Sequence, residues 1–199
     1  MVRPKVPLLT VDTVILAAVE LLEADGHQHF SLRNLGAKLN VNSASIYHHF
    51  LNKEEILMAA VRYTLREIAL PPASDDWKDF VCASSIAYRR LLVAKPFLIP
   101  IMLSGVRPTT RAYAIVDTML TDAGIPDQWR PEILHTLDNS VVASAAVSVN
   151  AAKFNLDGGQ THIDHEALLT AVLRLQMQEM ERQFAQHASL GAARRSRRS

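Results

Sequence analysis

Residue types able to do covalent or metal chemistry are present in this chain, but their spacing assembles no reaction centre. Serine, histidine and aspartate occur without a Gly-x-Ser-x-Gly elbow, a His-Glu-x-x-His pair or a glycine-rich phosphate loop. His48 and His49 are adjacent, and neighbours on a helix diverge by about 100°, so the two do not converge on one ion. His162, Asp164 and His165 in "THIDH" lack a further ligand at helical spacing; they read as a helix start with Asp164 as its cap. Cys82, beside Ser84 and Ser85, reads as a structural or pocket-lining thiol. No enzyme activity, metal or cofactor is expected.

Recognition chemistry is concentrated instead in "SLRNLGAKLNVNSASIYHHF", Ser31 to Phe50. Ser31 suits an N-cap, after which Leu32, Leu35, Gly36 and Leu39 share one helical face while Arg33, Asn34 and Lys38 take the other. Asn40 tolerates the left-handed conformation, Val41 plugs the turn, and Asn42 caps a second helix of about two turns. There Ile46 and Phe50 must point inward, which turns Ala44 and His48 outward, flanked by Ser45 and Tyr47. That face is small, polar and aromatic, without a carboxylate. It suits a DNA major groove, where an acid would meet phosphate repulsion and small side chains let the backbone approach base edges.

The elements that must hold this face are helical throughout. Val11, Val14, Ile15, Ala18, Val19 and Leu22 follow the i, i+3, i+4, i+7 pattern, and Gly26 stops that helix. A further helix over 52–69 closes a small N-terminal domain, 1–70. "LPPAS" then breaks the chain, and Ser74, Asp75 and Asp76 supply N-cap oxygens for the next helix. Helices follow at about 76–94, 96–104, 108–123, 128–153 and 164–188. These make a second domain, 71–190, and 191–199 is expected to be a basic disordered tail. The fold class is all-α.

Composition limits the alternatives. Nearly half of the 199 residues are apolar, enough for a real core, and a net charge of +1 names no partner. A single cysteine excludes an internal disulfide, and no apolar run approaches the roughly 20 residues of a spanning helix. A cytoplasmic protein with no membrane partner is expected.

The order of a long amphipathic helix followed by "SLRNLGAKLNVNSASIYHHFLNKEEIL" resembles the DNA-binding domain of the tetracycline-repressor (TetR) family, over roughly residues 8–60. Asn40 stands where glycine is common in that family, and Gly36 where alanine is usual. By position, the resemblance implies that Arg33, Ser43, Ala44, Ser45, Tyr47, His48 and His49 face DNA and that Lys53 grips a phosphate. It also implies that the last two long helices pair with those of a second copy as a four-helix interface. Small residues Ala143, Ala145 and Ala146 and the stripe Leu168, Ala171, Val172 and Leu175 fit such a seam.

The C-terminal helices carry candidates for effector control. One stripe of the helix after the break, Trp77, Phe80, Val81, Ser84, Tyr88, Leu91 and Leu92, reads as core. A second face bears Cys82, Ser85, Ile86 and Arg89; Met102, Tyr113, Val116, Met119 and Leu120 add flexible and aromatic lining, and His135 and Asn139 add polar groups. The expected function is a ligand-responsive transcriptional regulator, a repressor, that binds a palindromic double-stranded DNA operator as a homodimer and is released by a small hydrophobic effector. The alternatives are an all-α small-molecule-binding protein or enzyme with a structural N-terminal bundle, and an architectural DNA binder without an effector.

Overall fold

A computed structural model describes residues 9–72, 74, 76–105, 110–154 and 164–196, without the side chains of 152, 154 and 187–196. Asp75, Pro108, Gly158, Gly159 and His162 therefore lie outside the described residues. Nine α-helices and one 3-10 turn, with no strand, make up the described residues.

Helix α1 (Val11–Asp25) begins in a capping box: Thr13 N donates to Thr10 Oγ1 at 3.2 Å and Thr10 N to Thr13 Oγ1 at 2.9 Å. Gly26, at φ +76°, ends it before the 3-10 turn His27–His29. Of the expected stripe, Val14, Ala18 and Leu22 are fully buried, whereas Val11 is 43% exposed because it sits in the first turn. Two short helices follow, α2 (Leu32–Leu39) and α3 (Ser43–Ile46), and then α4 (Lys53–Leu65). Helix α4 stops short of residue 69: Arg66 and Glu67 turn their N–H groups to carbonyls three residues back, at 3.2 and 3.1 Å. Helix α1 packs on α2 and α4, and α2 on α3.

The chain divides into two compact units, and the division is not linear. Residues 1–67 form the first unit together with 95–110, so α6 (Leu98–Leu103) belongs with the N-terminal helices and packs on the 3-10 turn. Leu98, Ile99, Ile101 and Met102 of α6 are buried. Lys95, at the start of that segment, holds Glu23 at the end of α1 at 2.6 Å and Glu67 beyond α4 at 3.2 Å.

The second unit comprises 68–94 and 111–199. Asp76 opens α5 (Trp77–Ala94) by accepting from Lys78 N at 2.8 Å, as its side chain and position require. Helices α7 (Arg111–Asp122), α8 (Arg130–Phe154) and α9 (His165–Ser196) complete the unit. Asp164 caps α9, accepting from the N–H groups of Glu166 and Ala167 at 3.0 Å each. That helix runs to Ser196 where an end near 188 and a disordered tail are expected from the sequence. Helix α5 packs on α7, α8 and α9, and buries Phe80, Val81 and Leu92; α8 contributes Ile133, Leu137, Val141, Val142 and Ala145, and α9 Leu169, Leu173 and Met177.

Candidate nucleic-acid interface

The turn between α2 and α3 is built from short-range bonds. Ser31 Oγ accepts from Asn34 N at 3.1 Å, which starts α2 on a satisfied donor. Asn40 ends it in the left-handed region, φ 55° and ψ 41°, as its side chain permits. Val41 N then donates to Gly36 O at 2.9 Å, and Asn42 Oδ1 accepts from Ser45 N at 2.8 Å to start α3. Ser43 Oγ donates to Leu32 O at 3.3 Å, a direct tie between the two helices. Leu35 and Ile46 are fully buried and Phe50 is 5% exposed, as expected, whereas Leu32 and Leu39 on the same face of α2 are only half-buried.

Helix α3 itself is one turn rather than two. Beyond Ile46 the backbone continues as turns: His49 N and Phe50 N both reach Ile46 O, at 2.9 and 3.2 Å. The shared acceptor tightens the segment while keeping Phe50 inward. Arg33, Ala44, Tyr47, His48 and His49 are exposed, and Tyr47 retains 52% of its surface. Among the described residues none of the five is in an ion pair. Ser43 and Ser45 are half-buried, and both hydroxyl hydrogens are engaged locally, Ser45 Oγ with Asn42 Oδ1 at 3.0 Å. Their outward contribution is an acceptor lone pair rather than a free donor. Lys53 is the first residue of α4, with its ammonium 5.6 Å from the centroid of Phe30. A cation at a helix N-terminus opposes the dipole, so this placement favours an anion nearby.

The effector candidates distribute unevenly. Cys82, Ser85 and Arg89 of α5 and Val116 and Leu120 of α7 are buried; Ile86, Tyr113, Met119 and His135 are half-buried, all in the second unit. Two stand apart from that group. Met102 is 2% exposed in α6 and so fills the core of the first unit. Asn139 lies on an exposed face of α8, because Leu137, Val141 and Val142 take that helix's inward positions. Arg89 is largely committed: Nε donates to Ser144 Oγ at 3.0 Å, Nη2 to Ser148 Oγ, and Nη1 stands 3.9 Å from Glu166, which Arg90 also grips at 2.9 and 2.7 Å. The Arg90 bonds hold the Glu166 carboxyl below its ordinary pKa. Burial pushes the Cys82 thiol up, and burial followed by the Asp117 charge does the same to the Tyr113 phenol. Among the described residues no three His, Cys, Asp or Glu side chains gather in a metal-binding arrangement.

Residues 14–60 match the family model described as bacterial regulatory proteins, tetR family. The chain is 31% identical over 170 residues to the tetracycline repressor protein class D of Escherichia coli, a match spanning 81% of this chain and 70% of that protein. The chain belongs to the tetR family. An HTH-type transcriptional regulator of Saccharopolyspora erythraea is 37% identical over 92 residues, although the match spans only 39% of that relative. Among solved structures, a TetR variant from Acinetobacter baumannii AYE in complex with minocycline superposes with a TM-score of 0.70 at 26% identity, covering 87% of this chain and 97% of the other. ActR of Streptomyces coelicolor in complex with (S)-DNPA shares the fold, with a TM-score of 0.65 at 23% identity, over 84% and 98% of the two chains.

As a TetR-family member the chain is a transcriptional regulator, and two residues of its helix-turn-helix depart from the usual family types. Gly36 is tightly hemmed, since a Cβ there would meet Val41 O at 2.8 Å. Asn40 replaces the common turn glycine at no geometric loss. A polar group overlooked in the sequence is Ser84, which reads there as core filling. It is 8% exposed, and its hydroxyl is buried without a hydrogen-bond partner. The available signal was a hydroxyl in a stripe otherwise apolar or aromatic; a buried polar atom left unsatisfied is uncommon and calls for a reason.

Proposed function

We propose that this regulator is a homodimeric repressor: each subunit places the Ala44–His49 segment in one major groove of a palindromic operator, and a small, mainly apolar effector held in the second unit releases it. The observation that carries this reading is the outward set Ala44, Tyr47, His48 and His49, exposed on a segment whose inward residues Ile46 and Phe50 are buried. Half-sites about 34 Å apart along the duplex suit two such segments. Exposed Arg33 and the α4 N-terminal Lys53 supply the charge that phosphates require.

Dimerisation is supported by apolar surface on α8 and α9. Leu169, Leu173 and Met177 bury the inner face of α9, and the adjacent face leaves Leu168 at 55%, Val172 at 37% and Leu175 at 66% exposure, with Ala171 exposed among them. Val147 on α8 is 58% exposed and Ala143 is exposed too. Ala145, expected in the same seam, is fully buried in the subunit's own core, and Ala146 is half-buried. A contiguous apolar stripe of this kind marks an interaction surface.

Effector control is supported by the buried, unpartnered Ser84 hydroxyl of α5, by the packing of α5 on α7, which carries the half-buried Tyr113 and Met119, and by relatives whose structures hold minocycline or (S)-DNPA. A DNA-binding repressor acts in the cytoplasm, which is the compartment this reading assigns; no described helix is long and apolar enough to cross a membrane. Selection of bound genomic fragments with the purified protein tests the reading. Recovery of a short inverted repeat is expected, and fragments without any shared sequence would refute it.

A further inference from the structure

Leu51 is the most exposed large apolar side chain among the described residues, at 84%. It is not a loose loop residue. Its N–H donates to Glu55 Oε2 at 2.6 Å, while Asn52 Oδ1 accepts from Glu55 N at 2.8 Å, so the turn into α4 is closed on both sides. Phe50, 5% exposed, anchors the preceding position. Leu51 is thus held outward by its neighbours, between the exposed Tyr47, His48 and His49 and the α4 N-terminal Lys53. Core packing leaves its exposure unexplained.

We propose that Leu51 is a further DNA-contact residue, which packs on the deoxyribose chain at the edge of the groove beside the phosphate held by Lys53. This rests on the duplex-binding function proposed above. The sugars present C–H surface between phosphates, and an apolar side chain laid on them removes that surface and its own from water. Such a contact neutralises no phosphate and releases no counterion, so its contribution is independent of salt. It touches no base edge, so it is also independent of sequence. The Glu55 carboxylate in the first turn of α4 is occupied by the Leu51 N–H.

The test is fluorescence anisotropy at several salt concentrations with a duplex selected by the wild-type dimer and with a scrambled one, for wild type, Leu51→Ala, Leu51→Lys and Lys53→Ala. Leu51→Ala should weaken binding to both duplexes about fivefold, with an unchanged salt slope. Leu51→Lys should restore affinity and steepen the slope by about one phosphate contact per subunit, and Lys53→Ala should make it shallower by the same amount. Undiminished binding by Leu51→Ala overturns the proposal, as does a loss confined to the selected duplex, which would make Leu51 a reader of bases. A changed sedimentation coefficient for Leu51→Ala would assign the side chain to a protein contact and likewise overturn it. Failure of the wild type to bind any duplex refutes the proposed function itself, before any variant is compared.

Discussion

A Cβ built on Gly36 would lie 2.8 Å from the carbonyl oxygen of Val41, and it is the Val41 N–H that donates to Gly36 O at 2.9 Å. The α2–α3 turn is therefore closed down on a residue without a side chain, and its neighbour is backbone, which cannot swing away. Alanine in an unhindered helix would gain about 1 kcal/mol over glycine. Here the clash should outweigh that gain: Gly36→Ala is expected to lower stability by about 1 kcal/mol, read as a fall in denaturation midpoint. A raised midpoint would show that the turn opens freely.

Asn40 invites the opposite substitution. At φ 55° it is the only described non-glycine residue in the left-handed region. Asn40→Gly should be neutral or stabilising by a few tenths of a kcal/mol, and Asn40→Val should cost about 1–2 kcal/mol. Equal midpoints for the two variants would remove the turn's conformational requirement.

Cys82 is 6% exposed, and burial raises its thiol pKa. A raised pKa leaves less thiolate at any given pH, so reaction with a thiol reagent at pH 8 should be far slower in the folded protein than in denaturant, and it should quicken as pH rises. Immediate labelling of the native protein would contradict the burial of this face of α5.

On α9, Leu175 is 66% exposed and outside the subunit's own core. Leu175→Glu should leave each subunit folded yet raise the dimer dissociation constant by about a hundredfold or more, since it sets a charge against apolar surface. Sedimentation across a concentration series measures this. A wild-type chain that is monomeric at micromolar concentration would dispose of the dimer.

What was legible in the sequence is what neighbours along the chain decide. Ser31, Asn40 and Asn42 act through bonds spanning three or four residues, and Ile46 and Phe50 follow from helical spacing, so the helix-turn-helix could be read directly. Packing between distant segments could not. Nothing in "KPFLIPIML" says that α6 returns to the first unit, and that return sets Met102 apart from the other effector candidates. Asn139 shows the same limit: on a helix with apolar residues around much of its circumference, spacing leaves the inward face ambiguous, and the partner helices choose it. The one-turn length of α3 was also hidden, because the carbonyl of Ile46 serves two N–H groups where a regular helix would use one.

The central claim is that the segment after Asn42 reads base edges while Lys53 grips phosphate, and one salt-titrated binding experiment separates the two. With a selected inverted-repeat duplex, Lys53→Ala should weaken binding to all sequences alike and reduce the slope of log affinity against log salt by about 0.9 for each subunit's lost contact. His48→Ala should leave that slope unchanged and alter preference at one base pair by about 1–3 kcal/mol. Identical slopes for Lys53→Ala and wild type, together with unaltered base preference in His48→Ala, would contradict the assignment of this segment to the groove.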